Sequence, residues 1–276
     1  MTGFITWDID PQIFTDVAFL RWYGCCWAVG MMLGYQVLLK MYKQENLSQQ
    51  DLDVLTIYVV LGTIIGARLG HILFYAPTYY LSHPIEILPI QLEPTFQFTG
   101  LLGLASHGGV VGALLAVYLY GKKHKKDLLW TLDRLTIAAS LLGAWIRLGN
   151  LMNSEIIGIP TQVPWAFVFT RIDDIPRHPT QLYEALFYLL IFLFLFMLWK
   201  RKSIEHHKGF LFGLGLSLIF TQRFLMEFLK ENQVAFEESM QLNMGQILSI
   251  PLMVIGLLTM LWSIKKFGAK HRLLNL

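Results

Sequence analysis

The chain has 276 residues, of which 55% are hydrophobic and 15% charged, with a formal net charge of +3. An average soluble domain carries about 25% charge, so the composition leaves too few charges to coat a globule of this length. It also excludes intrinsic disorder, which needs low hydrophobicity and high net charge. A polytopic membrane protein remains.

Residues 1–16 carry Asp8, Asp10 and Asp16 with no Lys or Arg, unlike the basic start of a signal peptide. Seven apolar stretches follow, near 18–40, 52–76, 100–121, 128–148, 180–199, 209–229 and 245–264. Each reaches the roughly 20 residues that a helix needs to cross a bilayer. Beta-barrel strands would be short and alternating, whereas Leu186–Trp199 is unbroken. Cys25 and Cys26 are adjacent in the first stretch and read as packed apolar residues, since no disulfide framework can be built from them. Glycines recur four apart at Gly30/Gly34, Gly62/Gly66/Gly70, Gly108/Gly112 and Gly209/Gly213, a spacing that lets helix backbones approach closely in lipid.

Orientation follows from the basic residues. Lys40 and Lys43 follow span 1; Lys122, Lys123, Lys125 and Lys126 follow span 3. Lys200, Arg201, Lys202 and Lys208 follow span 5, and Lys265, Lys266, Lys270 and Arg272 follow span 7. The opposite loops hold Arg171, Arg177 and Lys230. The basic side is therefore expected in the cytoplasm, with the N-terminus outside and the C-terminus inside. The expected fold is an all-α integral membrane protein, one polytopic domain over 1–276 with seven transmembrane helices. Two outer segments, 77–99 and 149–179, exceed tight turns and are rich in Pro. Segments of that length usually carry structure or function, and 149–179 is expected to form a small periplasmic head.

Five arginines lie in or at the edge of a span: Arg21, Arg68, Arg134, Arg147 and Arg223. Embedded ionisable groups are costly and mark functional sites by default. Arg134, beside Asp133, reads as an interfacial structural pair, and Arg21 can snorkel. Arg68, Arg147 and Arg223 share a depth with Tyr23, His107 and Glu184, so polar groups from six spans gather near the outer leaflet. Arg147, Asn150 and Asn153 are three apart and share a helical face, with Glu155 and Gly158 following. Arg223 and Glu227 are four apart and can pair. Glu184 either joins the site or holds a loop arginine.

His107 sits in Ser106-His107-Gly108-Gly109. Histidine is the side chain best placed to accept a proton near neutral pH, and the glycines leave room beside it. No histidine pair has HExxH spacing, so no metal is expected. Arginine is suited to bidentate phosphate recognition, and the abundant phosphate at this depth belongs to phospholipid. Two readings stand on these residues alone. One is an enzyme acting on a phospholipid head group; the other is a transporter or receptor with an outer-leaflet anion site, although the paired broken helices of transporters are not visible.

Arg147-Leu148-Gly149-Asn150-Leu151-Met152-Asn153-Ser154-Glu155 with Gly158 resembles the signature of the prolipoprotein diacylglyceryl transferase family. So do Arg21-Trp22-Tyr23-Gly24, Gly66-Ala67-Arg68-Leu69-Gly70, Ser106-His107-Gly108-Gly109 and Arg177-His178-Pro179-Thr180-Gln181-Leu182-Tyr183-Glu184. Arg223 with Glu227, and Met244-Gly245-Gln246-Ile247-Leu248-Ser249, complete an ordered set over nearly the whole chain. One departure is Ala144-Trp145-Ile146-Arg147, where the family has Gly-Gly-Arg.

The resemblance implies a bacterial inner-membrane, multi-pass transferase. It would move the diacylglyceryl group of phosphatidylglycerol to the lipobox cysteine thiol of a prolipoprotein signal peptide and release glycerol phosphate, the first step of lipoprotein maturation. Its partners would be these two substrates and the lipid bilayer, with no nucleic acid, cofactor or metal. The residues expected to be catalytic are His107 as base, Tyr23 as its helper, and Arg147 and Arg223. Arg147 and Arg223 would hold the phosphate with Arg68 in support. Asn150, Asn153, Glu155 and Gly158 would bind the head group, and Glu227 would position Arg223.

Overall fold

A computed structural model describes residues 3–14, 21–88, 90–91, 96–98, 103–201, 207–232, 237 and 240–274. The starts of the first and third predicted spans (18–20 and 100–102), Asp16, Pro89, Pro94 and Lys202 lie outside the described residues. The chain forms two compact units, Met1–Lys40 with Leu132–Leu276, and Met41–Thr131.

The long helices are α1 (Trp22–Gln44), α2 (Gln49–Tyr75), α4 (Ser106–His124), α5 (Leu128–Met152), α6 (Thr180–Trp199), α7 (Phe210–Met226) and α8 (Met244–Leu274), with a short α3 (Pro77–Ser82). Helices lie on all seven predicted spans. Among the described residues, five runs are long and apolar enough to cross a membrane: Gln49–Tyr75, Leu128–Met152, Thr180–Trp199, Phe210–Leu229 and Met244–Phe267. Over their described residues, α1 and α4 fall short of that measure; Trp, Tyr, Gln and Gly dilute α1, and glycines and a Lys-rich end dilute α4. The last helix outruns its predicted span and continues through Pro251.

In the unit Met41–Thr131, α2 packs on α4 through the predicted glycine seam. A Cβ on Gly66 would lie 2.7 Å from the Gly112 Cα, and one on Gly70 2.8 Å from the Gly108 Cα. Only glycine permits such backbone contact. Gly66→Val is therefore expected to push the helices apart at a cost of about 1–3 kcal/mol or more. The measurement is the melting temperature and monodispersity of the purified variant; unchanged values would mean that the seam tolerates a side chain. Ser48 caps α2, its hydroxyl accepting from the Asp51 N–H at 3.1 Å, as an N-cap serine does. Between α3 and α4 lie a 3-10 turn at Pro84–Ile87 and a two-stranded antiparallel pair, β2 (Ile90–Gln91) and β3 (Gln97–Phe98).

In the larger unit α7 packs on α6 and α8. Gly213 meets α8 so closely that a Cβ there would lie 2.6 Å from the Gly256 carbonyl oxygen. Gly30 of α1 faces Trp145 of α5, where an added Cβ would lie 2.9 Å from the Trp145 Cβ. The bulky Trp145 is thus accommodated by a glycine on the neighbouring helix. Asp133 has a role beyond the predicted pair with Arg134. Its carboxylate accepts from the Gly209 and Phe212 N–H groups at 2.8 and 2.7 Å, supplying negative charge where α7 exposes its unpaired amides.

The architecture is not purely α. The N-terminal segment and the predicted head share a three-stranded sheet, β1 (Ile5–Trp7), β4 (Phe167–Phe169) and β5 (Pro176–Arg177), in the order β1-β4-β5. β1 runs parallel to β4 with Ile5 opposite Phe167, and β4 runs antiparallel to β5 with Phe167 opposite Arg177. Phe167 and Phe169 are buried and Val168 is less so, the alternation expected of a strand. Strands of two or three residues are too short to show that period in the sequence. Phe167, Phe169 and Leu151 form a small core joined by Trp7, Ile157 and Leu182. The Trp7 indole donates to the Leu151 carbonyl at 3.0 Å.

Candidate functional site

The end of α5 shapes the site in the larger unit. Past Met152 the chain turns sharply, with Ser154 at φ +53° and Ile156 at φ +59°. A β-branched residue in the left-handed region is strained, and such strain persists only where surrounding contacts impose it. Those contacts come from the start of α6. The Thr180 hydroxyl donates to the Ile156 carbonyl at 3.0 Å, and the Gln181 amide donates to the Glu155 carbonyl at 2.8 Å. The Glu155 N–H donates back to the Asn150 carbonyl at 3.1 Å. The turn carries the Glu155 carboxylate back to α5, where it accepts from Asn150 Nδ2 at 2.7 Å and Asn153 Nδ2 at 3.3 Å. Arg147 donates to Asn150 Oδ1 at 3.3 Å. Tyr23 of α1 lies against Gly149, where an added Cβ would be 2.9 Å from the Tyr23 ring.

On its other side Arg147 enters a chain of alternating charge. Its Nε lies 3.2 Å from Glu184 Oε2. Glu184, fully buried, presents Oε1 to Lys230 Nζ at 2.9 Å. Lys230 Nζ also lies 3.0 Å from Glu227 Oε1, and Arg223 Nε lies 4.0 Å from the same oxygen. Glu227 Oε2 accepts from Asn243 Nδ2 at 3.2 Å. The Arg147 side chain is 11% exposed and that of Arg223 37%. One arginine is embedded and firmly held; the other is accessible and loosely paired. Burial of this many charges is tolerable only with close opposite partners.

Gly158 is wedged against the chain on two sides. A Cβ there would lie 2.7 Å from the His178 Cβ and 2.9 Å from the Leu229 carbonyl oxygen. Its carbonyl accepts from Arg177 Nη1 at 3.2 Å. Arg177 pairs with Asp173 and Glu231, and its guanidinium holds the Asp173 carboxyl below the usual carboxylate range. The loop arginine is thus satisfied without Glu184, which serves Arg147 and Lys230 instead.

The unit Met41–Thr131 holds Arg68 and His107. Arg68 donates to the carbonyls of Ile87 and Gly103 at 3.0 and 3.5 Å and to that of Glu86, and lies 5.0 Å from the Tyr80 ring centroid. It gathers the segment between α2 and α4. His107 lies exposed in the first turn of α4, without a hydrogen-bond partner among the described residues.

The structure therefore joins Arg147, Asn150, Asn153 and Glu155 in one network and links them through Glu184 and Lys230 to Arg223 and Glu227. Tyr23 packs beside this network and Gly158 supports its backbone. Lys230 was not among the expected site residues, being counted as a loop charge; its three-residue spacing from Glu227 was the available signal. Gln181 was also missed, and nothing local marks a glutamine as the anchor of a distant turn.

A family model for prolipoprotein diacylglyceryl transferase matches residues 12–262. A phosphatidylglycerol–prolipoprotein diacylglyceryl transferase of Bacteroides fragilis is 47% identical over 270 residues, covering 96% of this chain and 98% of the relative. Relatives of the same description from Tolumonas auensis and Chloroherpeton thalassium are 46% and 44% identical. They cover 94% and 96% of this chain and 98% and 96% of their own.

Proposed function

The chain belongs to the prolipoprotein diacylglyceryl transferase family and is a membrane-embedded transferase, and we propose that it moves the diacylglyceryl group of phosphatidylglycerol to the lipobox cysteine thiol of prolipoproteins. The observation that carries the site assignment is the buried Arg147, fixed by Glu184 and Asn150 and joined through Lys230 to Glu227 and Arg223. Such a pair of arginines suits a phosphate whose charge grows as it leaves. In the reaction the acceptor thiol gives its proton to His107, with Tyr23 in support. The thiolate, the reactive form of cysteine, attacks the glycerol carbon. The sulfur–carbon bond forms, the carbon–oxygen bond to phosphate breaks, and glycerol phosphate departs held by Arg147 and Arg223. Asn150, Asn153 and Glu155 orient the head group. Gly158 lets the chain close against His178 and Leu229 beside the Glu155 turn, Glu227 positions Arg223, and Arg68 supports phosphate binding.

The protein is proposed to sit in the bacterial inner membrane as one polytopic domain of seven spanning helices, α1 and α4 included. The lysine-rich segments face the cytoplasm, and the 149–179 segment forms the periplasmic head. Labelled phosphatidylglycerol and a lipobox peptide test the function with purified protein, the expected product being a thioether-linked lipopeptide. Solute movement across vesicles with no lipid modified would favour a transporter. For topology, a cysteine placed at Lys123 is expected to resist an impermeant reagent in intact cells; labelling from outside would overturn the orientation.

A further inference from the structure

Lys230 has no place in the mechanism above, yet it is only 5% exposed and contacts both glutamates of the charge network. Its backbone is pinned independently of its side chain. Residues Gly158 and Lys230 form an isolated bridge, with the Ile159 N–H donating to the Leu229 carbonyl at 3.0 Å and the Glu231 N–H to the Ile157 carbonyl at 3.2 Å. Burying a lysine costs solvation and side-chain freedom, and two carboxylates compensate it here.

Its consequence for the arginines follows from charge and distance. Without Lys230, Glu184 and Glu227 would neutralise Arg147 and Arg223 one for one, leaving no net charge to attract an anion. With it, these five groups carry one net positive charge; Glu155 reaches the cluster only through the Asn150 amide, from an exposed position. Distance adds a second effect. Lys230 Nζ sits 3.0 Å from Glu227 Oε1 while Arg223 Nε stays 4.0 Å from it. The lysine occupies the carboxylate that Arg223, one helical turn away, would otherwise engage. We propose that Lys230 is a positioning residue for phosphate binding: it holds Glu184 and Glu227 so that Arg147 is fixed and Arg223 is released to meet the anion. This rests on the phospholipid-transferase reading of the site.

The test uses the full chain in detergent, with glycerol phosphate as the titrated probe and phosphatidylglycerol transfer as the kinetic readout. Lys230→Met is expected to weaken glycerol phosphate binding by about tenfold or more and to raise KM for the lipid in parallel. Lys230→Arg, which keeps the charge, is expected to retain most of both. Lys230→Met combined with Glu227→Gln restores the net charge and removes the competing carboxylate, so binding should recover most of the loss. A Lys230→Met protein that binds like wild type overturns the proposal. So does a folded double variant no better than the single one. Should Lys230→Met fail to fold, Lys230→Gln, which keeps a hydrogen-bond donor and loses the charge, decides: glycerol phosphate binding weakened about tenfold supports the proposal, and wild-type binding overturns it. If wild type binds glycerol phosphate but transfers no lipid, the transferase reading fails and the Lys230 result still stands. If wild type transfers and Lys230→Met is unaffected, only this proposal fails.

Discussion

Arg147→Ala is expected to lower diacylglyceryl transfer by about 10²–10³-fold or more, the loss typical of removing a donor aimed at developing negative charge. Arg147 is embedded, contacts Glu184 Oε2 at 3.2 Å and shares Asn150 with the Glu155 turn. Its removal takes away a phosphate ligand and one of the two cations facing Glu184. The second effect endangers folding, because one-sided disruption of a buried pair is costly. Arg147→Lys separates the two. It keeps the charge beside Glu184 but loses the planar fork that matches phosphate, so the protein should remain folded and monodisperse while transfer stays far below wild type. Wild-type turnover by a folded Arg147→Ala protein would remove this arginine from the phosphate site.

His107→Asn is expected to cost about 10²–10⁴-fold in turnover, the usual range for a general base. The side chain is exposed and makes no hydrogen bond among the described residues, so thermal stability should hardly change. The pH dependence carries the sign. A free thiol ionises near a pKa of about 8.5, so at higher pH the acceptor supplies its own thiolate. The deficit of His107→Asn should therefore shrink as pH rises from about 7 to 9.5. A constant deficit would assign His107 to substrate placement, and full turnover at neutral pH would exclude it as the base.

The Lys230 proposal stands apart from both predictions, since it concerns which carboxylate each arginine meets. Its structural basis is the backbone bridge to Gly158, a glycine that His178 crowds most closely and that the Leu229 carbonyl, beside Lys230, crowds as well. One short pairing thus places a cation between two glutamates, next to the turn that Thr180 and Gln181 hold.

Much of this was legible from local order. Helix positions followed from apolar runs, and the close-packing faces of α2 and α4 from glycines four apart, because both depend only on helical geometry; that these two faces meet came from the structure. The same geometry put Arg147 with Asn150 and Arg223 with Glu227. The small sheet was not legible, because its three strands come from segments as distant as Ile5–Trp7 and Phe167–Phe169 and none is long enough to show a period. The capping of α7 by Asp133 joins residues 76 positions apart, so its neighbour Arg134 was the only visible partner.

By itself, the sequence determined the solvent, the helices and the kinds of side chain available, since hydrophobicity and residues three or four apart are properties of a single segment. The tertiary structure alone decided which charge answers which. Glu184 faces Arg147 and Lys230 rather than a loop arginine, and Lys230, 46 positions away from it, is buried rather than solvated. An ion pair's strength depends on distance and on exclusion of water, and packing sets both.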